Sequence, residues 1–302
     1  MRLWLPYEDW PAALDLPAGV EADVFTGDGD PPATLDNVEL YVLPYLQGLA
    51  PARLMSRMPS LRVAQTLTAG VDDVRPLVPA GVTLCNARGV HDASTAELAV
   101  ALALASLRGV PGYVRDAQRG RWDGGMRESL ADRTVLIVGY GSVGAAVERR
   151  LAGFECEVRR VALTARDGVE PFDALPDLLP HADVVVLTVP MTDETRGMVD
   201  AGFLGRMPDR ALLVNVSRGP VVRTDDLMAE VTSGRLRAAL DVTDPEPLPP
   251  DHPLWSSPGV LISPHVGGNT TAFLPRARRL VQGQVDRYVA GEPLVNVITA
   301  DY

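Results

Sequence analysis

The chain contains no lysine: all 28 basic residues among its 302 are arginine. Without a side-chain amine, Schiff-base catalysis and the phosphate-gripping lysine of a P-loop are both excluded. Cysteine is almost as scarce. Cys85 and Cys156 have no metal-ligand spacing and fall in strand-like surroundings, so they read as reduced packing residues, and no metal site is expected. No apolar run reaches the roughly 18 residues of a membrane span, and the opening Met1-Arg2-Leu3-Trp4-Leu5-Pro6 lacks the long apolar core of a signal peptide. A cytoplasmic protein is the expectation. The net charge of −11 argues against a nucleic-acid or anionic-membrane surface, because the average field would repel either. Any anionic ligand therefore needs arginines gathered locally.

What the chain does have is apolar sequence, 46% of it, enough at this length for two cores of ordinary domain size. Its organising stretch is Arg133 to Arg166. Thr134–Val138 reads as a buried strand, Gly139-Tyr140-Gly141-Ser142-Val143-Gly144 as a tight turn, and Ala145–Phe154 as the helix that follows. Three glycines at this spacing let the backbone turn sharply, approach a pyrophosphate and pack a helix on a sheet. The helix N-terminus then faces the anion. Strand, turn and helix in that order point to dinucleotide binding.

Before this stretch, short apolar runs at Leu3–Leu5, Ala22–Phe25, Leu40–Leu43, Leu61–Thr66 and Val82–Asn86 alternate with helical ones at Trp10–Leu14 and Ala52–Met58. Such βα alternation implies a parallel sheet. The turn Thr68-Ala69-Gly70-Val71-Asp72 sits at a strand's carboxyl end, where open α/β sheets bind ligands. Asp92–Leu107 combines the capping-box-like Ser94-Thr95-Ala96-Glu97 with an almost wholly apolar run, so it must be a buried helix. The boundary between domains is placed near its start, giving one domain from residues 1–92 and 270–302 and another from 93–269.

Beyond the glycines, Val158–Leu163 is the second strand of the unit. NAD-binding folds carry an acidic residue about 20 positions on, to hold the ribose 2′-hydroxyl. Here that position is Ala162, with Arg159 and Arg160 before it and Thr164 and Arg166 after. A missing acid removes repulsion of a 2′-phosphate, and an arginine binds one by charge-assisted bonds. NADP(H) is expected over NAD(H), which remains possible; Arg159 is read as a solvated strand residue.

Later strands end at Pro190, at Ser217-Arg218-Gly219, at Asp241-Val242, and at Pro264-His265. Helices fill the gaps, including Thr224–Ser233 with Thr224 as its cap. Arg218, Glu246 and His265 thus follow successive strands and converge by position on one side of a doubly wound sheet. A histidine paired with a carboxylate is a poised acid, and an arginine grips a carboxylate by two parallel bonds. Together they suit reduction of a 2-oxo acid: Arg218 holds the acid and polarises its carbonyl, and His265 supplies the proton.

At these residues the sequence resembles the D-isomer-specific 2-hydroxyacid dehydrogenases. Seven ordered motifs carry the resemblance: 68–72, 94–97, the glycine turn, Val189-Pro190-Met191-Thr192, Asn215–Gly219, Asp241–Pro247 and Pro264–Gly268. It implies a Rossmann-type cofactor domain plus a flavodoxin-like substrate domain built from both chain ends, and a homodimer formed through the cofactor domains. It also implies that Arg218, Glu246 and His265 are the catalytic set, that Ala69 and Gly70 present backbone N–H groups to the substrate carboxylate, and that Gly139, Gly141, Ser142, Val143 and Gly144 meet the pyrophosphate. Thr95, Thr164, Arg166, Pro190, Thr195 and Val216 would flank the cofactor, with Asp241 toward the nicotinamide carboxamide. The absent ribose-binding acid fits the glyoxylate/hydroxypyruvate reductase branch. Glu246 stands where formate-oxidising relatives have Gln, and phosphite-oxidising relatives need a lysine. A nucleotide-sensing corepressor-like protein and a dehydrogenase of another D-2-hydroxy acid, such as 3-phosphoglycerate, are the alternative members.

Overall fold

The structure, a computed structural model, describes residues 1–299. The chain divides into two compact units, Met1–His91 with the stretch from Thr271, and Asp92–Thr270. The first begins β1 (Arg2–Leu5), α1 (Trp10–Ala13), β2 (Glu21–Val24), β3 (Leu40–Val42), α2 (Ala50–Arg53), β4 (Val63–Gln65) and β5 (Thr83–Cys85). The second opens with α3 (Asp92–Arg108), α4 (Val110–Gln118), β6 (Thr134–Val138), α5 (Ser142–Leu151), β7 (Glu157–Ala162), β8 (Glu170–Pro171) and α6 (Leu175–Leu178). It continues through β9 (Val184–Leu187), α7 (Ala201–Arg206), β10 (Leu212–Asn215), α8 (Thr224–Thr232), β11 (Arg237–Leu240) and β12 (Val260–Ile262), and α9 (Phe273–Ala290) belongs again to the first.

The five strands of the first unit lie parallel in the order β2-β1-β3-β4-β5, the flavodoxin-like arrangement. Side chains alternate across this sheet because the strand period is two. Leu3 and Leu5 face a cluster completed by Phe273, Ala277, Val281 and Val285 of α9, four residues at a constant spacing of four that form one helical stripe. Trp4 and Tyr41 face the opposite cluster, with Met55, Met58 and Leu61.

The second unit carries seven parallel strands ordered β12-β11-β10-β9-β6-β7-β8. The order reverses beside β6, and the glycine turn leaves β6 at that switch point, where doubly wound sheets bind ligands. Both faces are covered, so the central strands are largely apolar; Val135, Leu136, Ile137 and Val138 are all buried. One layer is α3 against α5, with Ala96, Ala99, Ala103 and Ala146 buried in the shared cluster. Alanine at these positions lets the helices lie close without voids.

Several local expectations are corrected. Helix α5 begins at Ser142, three residues before Ala145, so the turn's last residues are helical themselves. Helix α3 begins at Asp92, which puts Ser94 and Thr95 inside its first turn rather than ahead of it. Thr224 does not cap α8: Arg223 occupies that position, and the Thr224 hydroxyl donates to the Asp244 carbonyl at 2.6 Å. The stretch 52–58 splits into α2 and a following 3₁₀ turn. Cys85 is buried and unbridged, and burial pushes its thiol up to about 11, out of reach of ordinary thiolate chemistry.

Candidate active site

The three motif glycines meet different surroundings. A Cβ on Gly139, whose φ is +99°, would lie 2.5 Å from the Val189 nitrogen, and one on Gly144 would lie 2.7 Å from the Gly139 carbonyl oxygen. Both are demanded by packing. A Cβ on Gly141 would meet no protein atom within 4 Å, so its bareness serves something other than the fold. Helix α5 has no side-chain cap, and the amides of Ser142 and Val143 have no acceptor among the described residues. Bare backbone and unsatisfied N–H groups at a ten-residue helix N-terminus fit a pyrophosphate. Gly141→Ala is therefore expected to melt like the parent chain while weakening nicotinamide dinucleotide binding about tenfold, whereas Gly144→Ala should destabilise the fold by about 1–3 kcal/mol. Thermal melts beside coenzyme titrations separate the two.

At the end of β7 the arginines divide. Arg159 pairs with Glu157 at 2.6 Å, as a surface strand residue does. Arg160 is bound to Glu148 through Nε at 2.8 and 2.9 Å and through its terminal nitrogen, and its guanidinium lies 5.7 Å from the centre of the Tyr140 ring. Hydrogen bonds from Arg160, against the opposing effect of burial and with help from the Tyr140 hydroxyl, hold Glu148 below the usual carboxylate range. Arg166 has no ion pair among the described residues. It is exposed, lies 5.6 Å from the centre of the same ring, and donates to the Tyr140 carbonyl. A tight Asp167-Gly168 turn, closed by Arg166 and Val169 exchanging backbone bonds of 3.1 and 2.8 Å, fixes its backbone. Thr164, two residues earlier and past the end of β7, is exposed. The adjoining groove of about 500 Å³ follows β7 and β8, lined by Glu157, Arg160 and Glu170, and is not the space above the glycine turn.

The residues flanking the next strands are braced rather than displayed. Thr195 is buried; its hydroxyl donates to the Pro190 carbonyl at 2.6 Å and accepts from the Thr192 amide at 2.8 Å, tightening the loop after β9. Pro190 itself is exposed, while Val216 packs into the cluster beneath α3.

The turn carrying Arg218 is wound around a buried amide. Asn215 accepts from the Ser217 amide at 3.0 Å and its hydroxyl at 2.7 Å, and donates to the Arg218 carbonyl at 3.0 Å. Gly219 then packs directly on the next loop: a Cβ there would stand 1.8 Å from the Thr243 carbonyl oxygen. That close approach brings the Arg218 turn beside the segment leading to Glu246. The His265 Nδ1 donates to Glu246 Oε1 at 2.5 Å, with both side chains somewhat under half exposed. Burial pushes the Glu246 carboxyl up, but the bond and charge of His265, the Thr243 amide and the nearby Arg218 together outweigh it and hold the group below its ordinary value. With Nδ1 engaged, Nε2 is the nitrogen left to exchange a proton.

His265 has a φ of +51°. Beneath it, buried Asp241 accepts from Ser263 Oγ at 2.6 Å and from the amides of Val266 and Gly267 at 2.9 Å each. A Cβ on Gly267 would lie 3.0 Å from Asp241 and 3.4 Å from Thr95, so Thr95 borders the same loop. The motif Asn215–Gly219 marked this turn without telling that Asn215 braces it or that Gly219 packs on Thr243, and Ser263 carried no signal of its own.

In the first unit, the turn after β4 is held by its carbonyls. Those of Thr68, Ala69 and Gly70 accept from Thr66 Oγ1, Asn86 Nδ2 and Thr68 Oγ1 at 3.0, 2.7 and 2.8 Å. The Gly70 amide has no acceptor among the described residues.

A Rossmann-type sheet with an uncapped glycine turn, an arginine and a carboxylate-bound imidazole together define a nicotinamide-dependent oxidoreductase. The family model for the D-isomer specific 2-hydroxyacid dehydrogenase NAD binding domain matches residues 100–267. Glyoxylate reductase/hydroxypyruvate reductase of Mus musculus is 36% identical over 245 residues, 74% of each chain. A D-isomer specific 2-hydroxyacid dehydrogenase from Xanthobacter autotrophicus Py2, solved with NADPH and MES, aligns over 100% of this chain and 99% of its own at 29% identity, with a TM-score of 0.84. The NADPH-dependent glyoxylate/hydroxypyruvate reductase of Sinorhizobium meliloti, solved with NADP and sulfate, aligns over 98% of both chains at 26% identity and a TM-score of 0.84. The chain belongs to the D-isomer specific 2-hydroxyacid dehydrogenases, and is an NAD(P)-dependent oxidoreductase of 2-oxo and 2-hydroxy acids.

Proposed function

We propose that the chain reduces small 2-oxo acids of the glyoxylate and hydroxypyruvate type to D-2-hydroxy acids, with NADPH preferred. The observation that carries this reading is the 2.5 Å contact of His265 with Glu246 beside Arg218, in the unit that also holds the dinucleotide turn. When bound, the reduced nicotinamide supplies the hydride. Arg218 binds the substrate carboxylate through two parallel charge-assisted bonds and draws electron density from the adjacent carbonyl. As C2 is reduced, His265 gives its Nε2 proton to the developing alkoxide, and the Glu246 charge stabilises the imidazolium until that moment. The mouse and S. meliloti relatives support the substrate class.

Arg166 supports the coenzyme preference, since of the three arginines near the end of β7 it alone has no acidic partner among the described residues. Arg166→Glu is expected to raise the Michaelis constant for NADPH by about tenfold or more, roughly 1.4 kcal/mol per decade, and to leave that for NADH within about twofold. Parallel initial rates with the two coenzymes read this; an unchanged ratio would remove Arg166 from the phosphate site. A homodimer through the cofactor unit is part of the reading, supported by the large apolar side chains that α4 and its following loop leave bare, Trp122 at 98% and Met126 at 97% exposure.

A further inference from the structure

The histidine that the proposed reaction depends on is carried on a backbone that a non-glycine residue rarely adopts, so something outside the ring must hold it there. Its own amide is shared between the Asp241 carbonyl at 2.8 Å and the Ser263 carbonyl at 3.1 Å. The Asp241 carboxylate reaches past it on both sides, to Ser263 before and to Val266 and Gly267 after. Two of these three donors are backbone groups that move with the loop. Only the Ser263 hydroxyl is an independent side chain, and it is anchored on the sheet, because the Ser263 amide donates to the Leu240 carbonyl at 2.9 Å and Pro264 restricts the Ser263 backbone before it.

We infer that Ser263 is a positioning residue for His265: its hydroxyl fixes the rotation of the Asp241 carboxylate, which in turn holds the left-handed turn from which the imidazole meets Glu246. Remove the hydroxyl, and Asp241 Oδ1 keeps one donor of two. The carboxylate is then able to turn about its last torsion, the amides of Val266 and Gly267 follow it, and the ring leaves its 2.5 Å contact. A displacement of about 1 Å at a proton donor is enough to cost on the order of a hundredfold in rate.

This rests on His265 being the proton donor, so the test carries both. Ser263→Ala is made in the parent chain and in His265→Ala, and kcat, the Michaelis constants and NADPH affinity are measured for each. The expected result is a fall in kcat of about 10- to 100-fold in the parent chain and no further fall on the His265→Ala background. Ser263→Thr should restore kcat to within about threefold, whereas Ser263→Val, of the same shape without the hydroxyl, should not; this pair decides the matter if the alanine variant fails to fold. An unchanged kcat in Ser263→Ala, an equal fall on both backgrounds, or a loss confined to NADPH affinity overturns the inference alone. An active His265→Ala overturns it together with the proton donor.

Discussion

Replacing His265 by alanine is expected to lower kcat for 2-oxo acid reduction by about 10²- to 10⁴-fold, with NADPH still bound near its original affinity. The split follows from where the side chain lies. Its imidazole touches Glu246 and takes no part in the glycine turn or in the loop from Pro190 to Thr195, which is braced internally. Glu246→Gln should show a smaller loss, because the amide retains a hydrogen-bond acceptor for Nδ1–H but no charge to balance an imidazolium. The pH dependence has a definite sign. Glu246 is held below its ordinary value in the folded chain, so its contribution to stability is present above the unfolded carboxylate's pKa and fades as pH falls through the lower folded one. With both side chains partly exposed, that contribution is small and screened by salt. Circular dichroism melts of the parent chain and Glu246→Gln should therefore converge in acid and differ modestly at neutral pH.

Arg218→Ala is the second large effect, a fall in kcat/KM of about 10³-fold for 2-oxo acids. Lysine should not restore it. A compact ammonium lacks the planar fork that matches a carboxylate with two bonds, and the chain itself uses arginine at every basic position. Fold stability should fall by much less than activity: Asn215 and the packing of Gly219 on Thr243 still secure the turn, and the variant gives up the guanidinium's 2.8 Å bond to the Ser217 carbonyl. A pyruvate-to-aldehyde comparison sharpens the test: Arg218→Ala should discriminate poorly between a 2-oxo acid and an aldehyde of similar size, because the group that reads the carboxylate has gone. Retained discrimination would assign that work elsewhere.

Much of the fold was legible because period and length carry it. Val135-Leu136-Ile137-Val138 reads as a buried parallel strand from composition alone, and it lies inside the seven-stranded sheet, between β9 and β7. β8 was not legible: two residues, Glu170 and Pro171, have no period to detect. Helix starts were misplaced where glycine and serine suggested loop, as at Ser142, since a helix whose first amides are left for an anion needs no capping side chain to announce it. The site was legible only as strand ends. Nothing in the spacing of Arg160 and Glu148 tells that they pair, because the bond runs between a strand and a helix that topology brings together. The same holds for Gly219 on Thr243 and for Ser263 under His265; each is a contact between neighbouring strand ends and has no local signature. The glycine motif marked three positions alike, yet two answer to packing and one to open space.

The central claim is turnover, and the most direct measurement is the oxidation of NADPH by the purified chain with hydroxypyruvate or glyoxylate, together with the configuration of the glycerate formed from hydroxypyruvate. Saturable turnover to D-glycerate is expected, lowered about 10²- to 10⁴-fold by His265→Ala. Tight NADPH binding with no consumption on either acid, or formation of the L-isomer, would contradict it.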